Sequence, residues 1–211
     1  MTFKLFKQAA SAALFTLAAT SHAQEVAPDE LVRRTTTEVL NIIKADKDLA
    51  NGDTRKIVQL AEEKVLPNFN FSRMTQLAVG RAWRDATDAQ KEALTKEFRT
   101  LLVRTYSTSL SQYRNQTIEV KPAKVAAGEK ETVVKTQINQ PGGQPIPIDY
   151  SMEKTDKGWR AYDIVVDGVS LVTNYRSTFA EEVRKSGIDG LVKTLADRNA
   201  KSAQGKSEAK K

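Results

Sequence analysis

The chain has 211 residues, no cysteine, a single histidine and a formal net charge of +7. The histidine, His22, lies in an N-terminal segment that we expect to be removed. The mature protein is therefore predicted to lack Ser-His-Asp and Cys-His catalytic sites, disulfides and His/Cys metal sites.

Residues 1–23 have the layout of a secretory signal peptide. Lys4 and Lys7 precede an apolar run over residues 9–19, and small residues lead up to Ala23. The run is too short to anchor the chain in a bilayer. We expect cleavage after Ala23, a single folded domain over residues 24–199, and a disordered basic tail over residues 200–211. Export also argues against a nucleic-acid partner.

The first half of the mature chain has helical periodicity. Residues 29–47 form a predicted helix, and Thr54 is expected to cap a second one that ends at Pro67. Ser72 is expected to cap a short helix that stops at Gly80. A capping-box sequence beginning at Thr87 then opens the longest helix, to about residue 114, on which we expect the sheet to pack.

The second half switches to period two. Four predicted strands are centred on residues 118–120, 134–138, 146–152 and 159–166, with short turns between them, which favours an antiparallel meander. Asp167-Gly168 is a turn, and Ser170 is expected to cap the helix that follows. The predicted class is α+β, NTF2-like in outline: N-terminal helices wrap around a four-stranded antiparallel sheet and C-terminal helices close over it.

The last predicted strand has one carboxylate, at Asp163. Simple alternation places Trp159, Ala161, Asp163 and Val165 on one face of this strand. A carboxylate among apolar neighbours suits a general base that works with a tyrosine, as in a small isomerase or hydrolase. The alternative is a structural role, in which Asp163 pairs with Arg176 or caps a loop.

Residues 158–179 carry the most specific motifs of the chain, namely Gly158-Trp159, Tyr162-Asp163, Asp167-Gly168-Val169-Ser170-Leu171 and Asn174-Tyr175-Arg176. This stretch resembles the MlaC family of periplasmic phospholipid carriers, also called toluene-tolerance proteins. Residues 69–74, 80–83 and 145–150, and the helix carrying Phe98, are similar to the same family. The resemblance covers nearly all of the mature chain.

The resemblance implies a Gram-negative periplasmic carrier that is not an enzyme and has no cofactor or metal. It implies a deep apolar cavity for the acyl chains of a glycerophospholipid, which is shuttled between the inner and outer membranes to maintain outer-membrane lipid asymmetry. It also implies transient docking close to the membranes. The expected partners are an inner-membrane MCE-type ABC transporter complex and an outer-membrane lipoprotein associated with porins.

We predict the acyl-chain pocket between the longest helix and the sheet, from the apolar faces of both. The predicted lining is Phe69, Phe71, Met74, Leu77, Trp83, Phe98, Leu102, Tyr106, Leu110, Ile148, Tyr150, Tyr162, Ile164, Leu171 and Tyr175. Side chains of these types fill an ordinary core more often than they line a cavity, and a structural adaptor with a filled core is a further alternative.

Overall fold

A computed structural model of the chain describes the backbone of residues 26–111 and 116–208 and the side chains of residues 26–107 and 116–202. The helices are α1 (Pro28–Ala45), α2 (Lys47–Ala50), α3 (Thr54–Leu60), α4 (Phe71–Val79), α5 (Asp88–Ser111) and α6 (Leu171–Glu208). A π-helical turn (Ala61–Val65) and two 3₁₀ turns (Leu66–Asn68 and Gly80–Arg84) join them. The predicted signal peptide lies outside the described residues.

The strands are β1 (Thr117–Val120), β2 (Glu131–Asn139), β3 (Ile146–Thr155), β4 (Gly158–Val166) and β5 (Val169–Ser170). They form one open antiparallel sheet in the order β1-β2-β3-β4-β5, with helices on both sides. The α+β class is therefore confirmed. The short β5 adds a fifth strand, which pairs with the end of β4.

The helices begin close to the predicted positions, but the capping residues of two helices lie one or two residues before the predicted ones. Asp53, not Thr54, caps α3, because its carboxylate accepts hydrogen bonds from the amides of the second and third helical residues. Asn70, not Ser72, caps α4 by accepting from Arg73 N at 3.1 Å. The capping box at Thr87 is confirmed by reciprocal bonds with Gln90 of 2.9 and 3.2 Å.

A β-bulge in β4 overturns the simple alternation expected for this strand. Met152 of β3 pairs with Ala161, whereas Ser151 pairs with Asp163, so Tyr162 is an extra residue. Directly paired residues share a face of the sheet, and Asp163 therefore lies on the face opposite Ala161. We call the face that carries Ala161 the inner face and the other the outer face.

Three hydrophobic clusters hold the chain together. The largest lies among α4, α5 and α6, the second joins α1 to the inner face of the sheet, and the third lies within α1, α2 and α3. The sheet was expected to pack on the longest predicted helix, α5. Instead α5 packs mainly on α3, α4 and α6, because its apolar positions are taken up by those helices.

Helix α6 begins after the Asp167-Gly168 turn, where both residues have the expected positive φ, 49° and 80°. It kinks at Gly187 (φ 74°, ψ −176°) and continues to Glu208. The helix thus extends into the segment 200–211 expected to be a disordered tail, and residues 209–211 lie outside the described residues. Over the described range, none of the helices is both long and apolar enough to cross a membrane.

Candidate functional site

One half of the inner face is closed and the other half is open. In the closed half, Val134, Met152, Trp159 and Ala161 are buried against Val32 of α1. In the open half, seven apolar side chains are only half-buried. This isoleucine-rich surface consists of Ile118, Ile138, Ile146, Ile148, Tyr150, Ile164 and Val166.

The strand register makes this surface continuous. Ile138 of β2 lies between Ile118 and Ile146 of the neighbouring strands, and Ile148 and Tyr150 are paired with Val166 and Ile164. Among the described strand residues of the inner face, the only charged one is Lys154, paired with Trp159 at the closed end. A contiguous, uncharged apolar surface of this kind is typical of a binding site for an apolar ligand.

Tyr150 lies at the border between the isoleucine-rich surface and the closed half, paired with Ile164 on one side and with the buried Val134 on the other. Part of its side chain is accessible, yet burial raises the pKa of its phenol to about 12. The phenol therefore lies in desolvated surroundings, although part of the side chain keeps accessible surface.

The structure divides the predicted lining residues into separate groups. Ile148, Tyr150 and Ile164 come together on the inner face. The second group belongs to the helical cluster: Met74, Phe98, Leu102 and Tyr175 are buried there, and Phe69, Phe71, Trp83, Tyr106 and Tyr162 pack half-buried around it. Leu171 is buried at the start of α6, Leu77 is 36% exposed, and the side chain of Leu110 lies outside the described residues.

The centre of the helical cluster is densely packed. The Phe98 ring is fully buried and meets the rings of Tyr175 and Phe179 edge to face, at centroid distances of 5.2 and 5.1 Å. Such contacts leave no room for a ligand chain between the rings. Phe69 packs against both the helical cluster and the sheet cluster, and so lies where the two meet.

Tyr106 of α5 lies at the margin of the helical cluster. It is half-buried, and burial together with the nearby Tyr175 raises its pKa. Tyr106 is one of the predicted lining residues on the helices, and it combines accessible surface with partly desolvated surroundings. This is the environment expected at the edge of a ligand pocket.

Four members of the isoleucine-rich surface are absent from the predicted lining: Ile118, Ile138, Ile146 and Val166. For the three isoleucines the period-two pattern of the sequence is a signal. Ile146 is two residues before Ile148 on the same strand, and Ile138 and Ile118 lie opposite it on the neighbouring strands. Val166 carries the same signal, because simple alternation places it on the same face as the predicted lining residue Ile164.

Asp163 does not lie among the apolar side chains of the inner face. Its carboxylate accepts hydrogen bonds from Ile164 N at 2.8 Å, from Val172 N at 3.1 Å and from the Ser170 hydroxyl at 2.5 Å. It therefore links β4 to the first turn of α6. Of the two structural roles considered, capping is the one that the structure shows.

A polar cluster on the outer face fixes α4 to the sheet. Arg73 donates to Glu153 and, at 2.7 Å, to Glu131, and its guanidinium lies 3.8 Å from the centre of the Tyr162 ring. Asn70 donates to Glu153 at 2.8 Å. Hydrogen bonding from Arg73 holds the pKa of Glu131 below its usual value. Every charge in this cluster has a partner, so the cluster is structural.

Two surface grooves lie away from the isoleucine-rich surface. One, of about 550 Å³, lies between the start of α1, Trp159 and the loop of residues 123–130. The other, of about 460 Å³, lies between Trp83 and the polar residues of α5. Both are open to solvent. Within the described residues, no group of three acidic, histidine or cysteine side chains is placed to hold a metal ion.

Comparison with known proteins gives consistent results. A family model described as MlaC protein matches residues 33–197. The toluene tolerance protein Ttg2D of Pseudomonas putida is 26% identical over 169 residues, which are 80% of this chain and 78% of the relative. The intermembrane phospholipid transport system binding protein MlaC of Haemophilus influenzae is 24% identical over 171 residues, which are 80% of each chain.

A solved structure is also similar. The phospholipid-binding protein from Ralstonia solanacearum, in complex with a phospholipid, superposes with a TM-score of 0.76 at 39% identity. The match covers 83% of this chain and 98% of that one.

Proposed function

Because the chain belongs to the MlaC family, we propose that it is a carrier that holds one glycerophospholipid with its acyl chains against the isoleucine-rich surface. The observation that carries this proposal is the surface itself, which is apolar, continuous and uncharged and keeps accessible area on the inner face of the sheet. We infer that this accessible area borders a recess that takes the acyl chains. The phospholipid complex of the Ralstonia relative supports the same class of ligand.

The energetics of lipid transfer require such a recess. Two acyl chains carry on the order of thirty methylenes, and ~0.8 kcal/mol for each gives roughly 24 kcal/mol for exposing both chains to water. A carrier must therefore cover nearly all of both chains. Since the chains leave one apolar environment for another, the net free energy of exchange is small, and the direction of transfer is set by the partners.

The wider role that we propose is shuttling between the inner and outer membranes in the periplasm, which maintains outer-membrane lipid asymmetry. The proposed docking partners are an inner-membrane MCE-type ABC transporter complex and an outer-membrane lipoprotein with a porin. The proposed activity is binding and transport without catalysis. Lipid transfer from loaded protein into vesicles with and without each reconstituted partner tests this role, and equal rates with and without a partner would rule that partner out.

The binding proposal is tested by mass spectrometry of the purified mature protein, under native conditions and after solvent extraction. We expect a mass corresponding to one diacyl phospholipid per chain. Ile148→Trp should displace the chains and reduce the lipid content several-fold. Val133→Trp is the matched control, since Val133 is 47% exposed on the outer face of the adjacent strand. An empty wild-type protein that takes up no lipid from vesicles would refute the proposal.

A further inference from the structure

We propose that the Tyr150 hydroxyl donates a hydrogen bond to an ester carbonyl of the bound lipid, and that it thereby makes the site prefer ester-linked to ether-linked chains. The inference rests on the proposed function and adds to it a residue that determines specificity.

The position comes from the strand register. Tyr150 lies between Val134 and Ile164 on the inner face, next to Ile148 along its own face of β3. All three neighbours are aliphatic. The tyrosine thus carries a polar group in a surface that is otherwise suited only to hydrocarbon.

Within residues 26–107 and 116–202, whose side chains the structure describes, no group accepts from or donates to the Tyr150 hydroxyl. Thr136, whose side chain lies on the same face, differs in this respect because its hydroxyl donates to the Ile148 carbonyl at 2.7 Å. Tyr150 therefore presents an unsatisfied donor to the recess, and a group of this kind gains by meeting an acceptor on a ligand.

The chemistry of the surroundings selects the acceptor. Acyl chains have none, and a glycerophospholipid offers its phosphate oxygens and its two ester carbonyls. Burying an anionic phosphate requires a cation beside it. The isoleucine-rich surface has no charged side chain, and the one charged residue among the described strand residues of the inner face, Lys154, lies at the closed end. The neutral ester carbonyl, which is joined directly to the chains, is the acceptor that fits.

The consequence is a preference between two otherwise matched lipids. A dialkyl ether phospholipid has the same chains and headgroup but no ester carbonyl, so the Tyr150 hydroxyl stays unsatisfied when it binds. The loss of one neutral hydrogen bond corresponds to a discrimination of about five-fold.

The test is a competition experiment with the mature protein. The protein is incubated with vesicles of equal amounts of a diacyl phosphatidylethanolamine and its dialkyl ether analogue, and the bound lipids are quantified by mass spectrometry. We expect the wild type to carry about five times more ester lipid, and Tyr150→Phe to carry both equally. Tyr162→Phe is the control, because the Tyr162 hydroxyl donates to Glu131 on the outer face, and it should keep the wild-type ratio.

The outcomes separate this inference from the proposed function. Equal uptake of both lipids by the wild type overturns the inference and leaves the carrier function intact. A preference that persists in Tyr150→Phe, or in Tyr150→Leu as a second replacement, also overturns it. Uptake of neither lipid by the wild type refutes the proposed function itself.

Discussion

The Ser170 hydroxyl donates a 2.5 Å hydrogen bond to the Asp163 carboxylate, and this bond joins the end of β4 to the start of α6. Ser170 Oγ in turn accepts from Thr173 N at 3.0 Å, as expected for the cap of this helix. Negative charge is favourable at a helix N-terminus. The arrangement uses the hydrogen-bonding capacity of Asp163 for structure, which favours a binding protein over an enzyme with Asp163 as its base.

Asp163→Asn is expected to lower the free energy of unfolding by about 1–2 kcal/mol, because it removes a charged acceptor at the helix start. Lipid content per folded molecule should not change. Urea denaturation followed by circular dichroism measures the first effect, and mass spectrometry the second. Asp167→Asn is the control, since Asp167 is exposed and asparagine tolerates its φ of 49°. A stable Asp163→Asn protein would show that the cap contributes little.

Arg73→Gln is expected to lower stability at pH 7 by about 1–3 kcal/mol, chiefly through the half-buried pair with Glu153. The difference from wild type should shrink at acid pH. The pKa of Glu131 is lowered in the folded state, so its contribution is present above its ordinary pKa of 4.5 and is lost as the pH falls through the lower folded value.

Urea unfolding of wild type and Arg73→Gln from pH 7 down to pH 3 measures this dependence. Arg198→Gln serves as the control, because Arg198 is exposed and makes no ion pair with the part of the chain that is described. A stability difference that stays constant over this pH range would contradict the assignment of the effect to the carboxylates.

Phe98→Ala is expected to lower the free energy of unfolding by about 3–5 kcal/mol, because the ring is fully buried between Tyr175 and Phe179. Leu77→Ala, at a position 36% exposed, should change it by less than about 0.5 kcal/mol. Thermal and urea denaturation compare the two. A small effect at Phe98 would mean that the helical cluster contains space, and that the lipid recess reaches into it.

Tyr150 is expected to weaken the fold at alkaline pH. Its folded pKa of about 12 is above the ordinary value of 10.0, so its contribution is complete below pH 10.0 and is lost as the pH rises towards 12. Tyr150→Phe should therefore lose less stability between pH 9 and pH 11 than the wild type. Urea midpoints over this range provide the measurement, and identical slopes would show that Tyr150 faces bulk water.

Local signals in the sequence were sufficient wherever the structure depends on neighbouring residues. The Thr87-Gln90 capping box, the Asp167-Gly168 turn and the Ser170 cap all follow from short-range chemistry. The bulge at Tyr162 could not be predicted, because β4 is apolar on both faces and the pattern stays plausible in either register.

The division between core and recess also lay beyond the sequence. Phe98 and Tyr150 are both aromatic residues on apolar faces, but Phe98 is enclosed by other rings whereas Tyr150 keeps accessible surface. That difference depends on where α1 stops covering the sheet and where α5 packs, which are properties of the whole fold. Periodicity identifies apolar faces, and only tertiary packing decides which of them are filled.

The bulge gives β4 one residue more than its pairing with β3 needs. Deleting Tyr162 would remove that extra residue and restore regular pairing, with Asp163 still opposite Ser151 and Ile164 still opposite Tyr150. The inner face would keep Ile164 and Val166, whereas the outer face would lose the Tyr162 ring beside Arg73. Sequences of this family that keep the same site can therefore differ by this one residue between Trp159 and the Asp167-Gly168 turn.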